Sequence, residues 1–234
     1  MTFILWPAPA PAGWMDDALE GLQRMGAGGR PHPGLSSQEL VEGLKQALRK
    51  GSRIAVERLG RKDGFWHHPE FRIPLPDSLQ TPARLLRQAG FGDQVDRLHL
   101  RLNRAAEAAV PAAKPIFYDA IRHISIHDAE RLLHGGDDAI TRYFQEKTTP
   151  ALRRAFAPIV HRELGRSGAI RSWRSFERQY ASLPLIGERL RVDMDGWVTD
   201  RALRAMFTML AREERNIRHH PAERTTELLR KVFR

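Results

Sequence analysis

Residues 199–218 read TDRALRAMFTMLAREERNIR. Leu203, Met206, Phe207, Leu210 and Ile217 fall on one side of a helix that Thr199 starts, and charged residues fill the other side. Glu214 stands about 40° from the centre of the apolar stripe at a rotation of about 100° per residue. A carboxylate in that position is expected to be partly buried, and burial demands a partner. Arg218, one turn on, and Arg224, beyond Pro221, are the candidates.

The same period recurs upstream. Ser36 with Glu39 three residues on makes a capping box, and Leu40, Leu44, Ala47, Leu48, Ala55 and Leu59 then follow at helical spacing to about Gly60. Gly43 and Gly51 lie on or near that stripe and would admit close helix contacts. Residues 60–80 change character. Asp63-Gly64 reads as a turn, and Phe71-Arg72-Ile73-Pro74-Leu75-Pro76 is held extended by its prolines, as a structured loop rather than a strand. Helices are expected over Thr81–Gly90, about 93–110 and about 112–123, then from Ser125 to Gly135-Gly136, where the chain stops and restarts at Asp137 for a short helix through Phe144. Thr149-Pro150 would cap a separate helix to about Leu164, another would cover 170–183, Leu190–Asp193 alternates enough for a short strand, and Pro221 would open a last helix.

Eight to ten helices joined by short loops, without βαβ alternation, predict an all-α fold. The expected organisation is a single compact multi-helix domain over 35–234 behind a flexible leader of residues 1–34 rich in Pro and Gly. The leader reads equally as the remnant of an export signal or as a Pro/Ala tail. A short helix near Trp14–Arg24 could interrupt it.

Composition narrows the function classes. The 234 residues contain no cysteine, which excludes disulfides, thiolate metal sites and a cysteine nucleophile. Lys and Arg total 38 against 28 Asp and Glu, a formal charge of +10 that favours anionic partners. The basic residues are scattered rather than gathered into an arm, so nucleic acid is the less favoured of these partners. Nowhere do about 18 consecutive apolar residues occur, which excludes a transmembrane helix.

Chemical motifs are sparse. Asp119, His123 and His127 are spaced four apart, as metal ligands on one helical face would be, but the cap at Ser125 breaks that helix between the two histidines. Asp193-Met194-Asp195-Gly196 lacks the remaining ligands of a calcium loop and reads as a helix cap before Trp197. Gly135-Gly136-Asp137-Asp138 carries two carboxylates that would repel a phosphate. No nucleophile elbow, Walker loop, dinucleotide fingerprint or zinc-protease motif occurs, so neither a metal nor a cofactor is expected. Asn103 and Glu107, four apart with Arg104 between them, share a face that periodicity alone would leave to solvent.

Taken together, Asp63-Gly64-Phe65, Ile73-Pro74-Leu75-Pro76, Leu102-Asn103-Arg104-Ala105-Ala106-Glu107, Ala113-Lys114-Pro115-Ile116-Phe117, Gly135-Gly136-Asp137-Asp138-Ala139, Glu213-Glu214 and Ile217-Arg218 resemble a bacterial family catalogued as domain of unknown function 4197. The resemblance runs from Leu35 to the end. It implies export to the periplasm of a Gram-negative cell and no established activity, substrate or cofactor. It also makes the Asn103, Arg104 and Glu107 face a place for hydrogen bonding between elements or for a ligand. The resulting expectation is a non-enzymatic binding module. Its polar site would combine Asn103, Arg104 and Glu107 with Asp128, Tyr143, Glu214 and Arg218, the arginines anchoring an anionic small molecule or an acidic protein or lipid surface. Two alternatives stand beside it: a hydrolase-like enzyme with Glu107 or Glu214 as general base, and binding of nucleic acid or an anionic membrane surface through net charge.

Overall fold

The computed structural model describes residues 36–166, 174–175, 178 and 192–233. The leader over 1–34 and its helix near 14–24, the helix expected over 170–183 and the first half of the strand expected at Leu190–Asp193 lie outside these or largely so. Among the described residues the fold is all-α, with eight α-helices and no strand. They are α1 (Ser37–Gly60), α2 (Gln80–Gln88), α3 (Gly92–Ala109), α4 (Ala113–Arg122), α5 (Ile126–Leu133), α6 (Ala139–Arg166), α7 (Met194–His219) and α8 (Glu227–Val232).

Helix α1 begins where its capping box places it. Glu39 N donates to Ser36 Oγ over 3.2 Å and Ser36 N donates to Glu39 Oε2 over 2.9 Å, so two otherwise orphaned amides are satisfied reciprocally. Its apolar stripe packs against α4, α5, α7 and α8. At Gly43 a Cβ would sit 2.5 Å from Val232 Cγ2, so the close approach of α8 requires a residue without a side chain there. Helix α7 buries Val198, Ala202, Leu203, Met206, Phe207, Met209, Leu210 and Ile217, and it packs on both α1 and α6. Shielding this apolar stripe from water is the main driving force for the assembly.

Three boundaries differ from expectation. Helix α7 starts at Met194, not Thr199, because the cap read before Trp197 is its N-cap: the Asp193 carboxylate accepts from Gly196 N at 2.9 Å. Pro221 opens only a 3₁₀ turn, Pro221–Glu223, and α8 begins later, where the Thr226 hydroxyl accepts from Leu229 N.

The third difference is larger. The two helices expected on either side of Thr149-Pro150 are one helix of 28 residues that contains both Pro150 and Pro158. A proline removes an amide donor and pushes back the preceding turn. Both prolines lie on the exposed face, where freed carbonyls are hydrated. Beside Pro150, the Thr148 and Thr149 hydroxyls donate back to the Phe144 and Gln145 carbonyls one turn earlier, at 2.7 and 2.6 Å.

The loop between α1 and α2 is not a surface strap. Phe65, Phe71, Ile73 and Leu75 are buried, so its backbone polar groups are drawn out of water along with them. Such a loop is stable only if its amides and carbonyls find partners inside the protein. Helices α3 and α7 provide them.

Candidate functional site

Asn103, fully buried on α3, brackets Ile73: its Oδ1 accepts Ile73 N at 2.8 Å and its Nδ2 donates to Ile73 O at 3.0 Å and to His99 O at 2.9 Å. The side-chain amide thus replaces the neighbouring strand that an extended residue would otherwise need. One turn on, Glu107 Oε1 accepts Phe65 N at 3.1 Å and Trp66 N at 3.2 Å, while its Oε2 accepts Arg104 Nη1 at 2.6 Å. Arg104 Nη2 donates in turn to Asp63 Oδ1 at 2.6 Å. Asp63 sits in the left-handed region at φ 69°, and a Cβ on Gly64 would lie 2.5 Å from the Arg58 carbonyl oxygen. The Arg104 hydrogen bond holds the Asp63 carboxyl below the ordinary carboxylate range. Asn103, Arg104 and Glu107 therefore clamp the buried loop to α3.

Glu214 and Arg218 make a second clamp. Glu214 Oε1 accepts Ile140 N at 3.1 Å, and Oε2 accepts Thr141 N at 2.8 Å and the Thr141 hydroxyl at 2.7 Å, so a carboxylate from α7 caps the N-terminus of α6. Arg218 pairs with Glu214 at 3.0 Å and donates to the Leu132 and Leu133 carbonyls at 2.9 and 3.1 Å, satisfying the end of α5. Of the two partners considered for Glu214, Arg218 is the one observed. Arg224 instead donates to the Ile217 and Arg218 carbonyls at the end of α7.

Asp128 and Tyr143 meet as a pair, the phenol donating to Asp128 Oδ2 at 3.3 Å. Asp128 also accepts from the Ser125 hydroxyl and from Arg131, and these bonds, the Ser125 one foremost, hold its carboxyl below the ordinary range. Burial, then the charge of Asp128, raises the Tyr143 phenol. The seven residues singled out in the sequence thus form three groups, and among the described residues no hydrogen bond or ion pair joins one group to another.

His99 adds a titratable element to the first clamp, its Nε2 donating to Ile73 O at 2.8 Å. Burial holds the imidazole below its usual pKa, outweighing the opposing pull of the Ile73 carbonyl, and Arg72 and Arg87 lower it further. A base whose folded pKa lies below its unfolded value of about 6.5 contributes stability that is complete above that value. The contribution is lost as pH falls from there through the folded pKa. Urea unfolding between pH 7.5 and 5 is therefore expected to show declining stability, and His99→Gln, which keeps a donor for Ile73, should flatten the decline. An unchanged slope in the variant would place the effect elsewhere. The lowered carboxyls of Asp63 and Asp128 titrate below about pH 4, outside this window.

Open space lies elsewhere, along α7. A groove of about 350 Å³ between α6 and α7 is lined by Arg142, Gln145, Thr149, Arg153, Arg204 and Thr208 over a floor that includes Leu203 and Phe207. Arg142 pairs with Asp138 at 3.3 Å and Arg153 with Asp200 at 2.6 Å. Arg204 has no carboxylate partner among the described residues. A second depression of about 120 Å³ on the other flank of α7, against residues 70–74, shares Arg204 and Thr208 with the first. By contrast, the cavity that Glu214 lines is about 20 Å³, room for about one water.

None of Arg142, Gln145, Thr149, Arg153, Arg204 and Thr208 was singled out from the sequence as a site residue. The signal was present as Asp138, Arg142, Gln145, Thr149 and Arg153, which recur every three or four residues. Dividing the helix at Pro150 split that face in two. Among the described residues no set of three or more His, Cys, Asp or Glu could hold a metal ion, and no helix is long and apolar enough to cross a membrane.

The family described as Protein of unknown function (DUF4197) matches residues 34–234. No curated protein and no solved structure matches the chain.

Proposed function

This chain belongs to the DUF4197 family, and from that premise we propose that it is a non-enzymatic helical binding module that takes an anionic group in the groove between α6 and α7. The observation that carries the reading is Arg204, a guanidinium without an acidic partner among the described residues, at the edge of an open groove with threonines in its lining. An unpaired arginine in a concave, partly apolar setting offers bidentate hydrogen bonds to a carboxylate or phosphate.

The motif residues serve this module as its frame. Glu107 and Glu214 each accept at least three hydrogen bonds, which occupy the lone pairs a general base would use. Glu214 has space beside it for a single water and none for a substrate. Those facts favour binding over hydrolysis.

Titration calorimetry with citrate as probe tests the reading. Citrate is expected to bind at low salt, and Arg204→Ala is expected to weaken it about tenfold or more, in line with about 1.5–3 kcal/mol for a charged hydrogen bond. No heat of binding, or equal affinity in the variant, would sink the proposal.

A further inference from the structure

The smaller depression on the far flank of α7 differs in chemistry from the groove it adjoins. Three arginines reach it, Arg72 from the loop and Arg201 and Arg204 from α7, and none of them forms an ion pair with a carboxylate among the described residues. The one acid in its wall, Glu70, is engaged by Arg212. Three arginines therefore line a small space whose one carboxylate among the described residues is already paired.

Two of those guanidiniums are braced. Arg72 lies 3.7 Å over the Trp66 ring and Arg201 lies 4.2 Å over the Trp197 ring. The Trp197 indole is itself fixed, donating Nε1–H to Pro74 O at 2.9 Å. A guanidinium held against an aromatic face keeps its N–H edge free in its own plane, and the contact reduces the rotamer freedom that an anion would otherwise have to freeze. Clamping by planar, pre-positioned donors suits a group with several oxygens.

We propose that Arg72, Arg201 and Arg204, with the Thr208 hydroxyl, form a pocket for a phosphate-monoester-type dianion. The pocket deepens the binding reading above, since it shares Arg204 with the larger groove and names the group recognised beside it. Size agrees with the charge: about 120 Å³ accommodates one compact oxyanion, whereas the rest of a ligand has about 350 Å³ next door. A phosphate monoester carries nearly two charges above its second pKa of about 6. It therefore matches the excess of positive charge better than a single carboxylate does.

The pocket chemistry is the same whether the phosphate belongs to a soluble metabolite or to a lipid headgroup, so the test separates them. The full chain is titrated with inorganic phosphate and with glycerol 3-phosphate, and is floated with phosphatidylcholine vesicles with and without phosphatidic acid. Arg72→Ala and Arg201→Ala are compared with Arg84→Ala, an exposed arginine on α2 that matches the charge change. Circular dichroism confirms that each variant is folded.

The expected result is phosphate binding that weakens about tenfold or more in Arg72→Ala and Arg201→Ala and stays unchanged in Arg84→Ala. The same pattern confined to phosphatidic acid vesicles assigns the group to a lipid. Failure to bind any of these probes, or equal loss in all three variants, overturns the pocket. Citrate binding that depends on Arg204, with no phosphate binding that depends on Arg72 or Arg201, would overturn the pocket alone and leave the larger groove standing. Phosphate binding that depends on Arg72 and Arg201 while citrate binding ignores Arg204 would do the reverse.

Discussion

Glu214→Ala is expected to cost about 3–5 kcal/mol of folding free energy, a large part of the about 5–15 kcal/mol typical of a folded domain. The carboxylate is buried and caps two backbone amides and a hydroxyl at the start of α6 while compensating Arg218. Truncation leaves the two amides and the hydroxyl without an acceptor, and Arg218 without its counter-charge, in a region where water has little access. Arg218 suffers most, because its side chain is only 11% exposed and cannot turn to solvent. Its carbonyl partners on α5 keep its Nη1 and Nη2 bonds, but its Nε–H loses its acceptor and its charge its counterpart. Glu214→Gln should fall between wild type and alanine, since it restores one acceptor but presents a donor where donors already point. Equilibrium urea unfolding measures the differences. A loss below about 1 kcal/mol for the alanine variant would mean that α6 finds its cap elsewhere.

For Glu107→Ala the expected loss is about 2–4 kcal/mol. The same logic applies, as Phe65 N and Trp66 N lose their shared acceptor beside a buried phenylalanine. The loss is smaller than for Glu214 because Arg104 keeps Asp63 and, at 30% exposure, can reach water. Its local signature should be specific. Hydrogen exchange is expected to accelerate at Phe65 and Trp66 and to remain slow in the middle of α1, because only the loop loses its anchor. Uniform acceleration throughout the protein would instead point to global unfolding as the route of exchange.

Much of the architecture was readable before the structure, where a local rule sufficed. The Ser36 capping box, the stop at Gly135-Gly136 and the apolar stripe through Leu203, Phe207 and Leu210 each depend on residues within a few positions of one another. Helix period and capping act over one or two turns, so they are legible in a linear chain. The same locality explains the failure at Pro150. A proline is a breaker by local rule, yet the continuous helix survives because the ring faces water, where the carbonyl it frees is hydrated.

The polar residues divide along the same line. Glu214 was legible as a buried acid because it sits near an apolar stripe on its own helix, and Arg218, one turn on, proved to be its partner. Its principal task, capping α6, involves Ile140 and Thr141 more than seventy residues away. By period alone Asn103 and Glu107 belonged to a solvated face. They are buried because a proline-held loop folds over that face and its backbone needs their lone pairs.

Sequence by itself determined the all-α class, most helix boundaries and the excess of positive charge, since all three follow from neighbouring residues or from composition. Only the tertiary structure decided which carboxylates are consumed in holding helices together and which arginines are left over. Pairing is a contest among groups brought together from distant parts of the chain. Among the described residues, Arg104 and Arg218 meet acids in that contest, and Arg72, Arg201 and Arg204 do not.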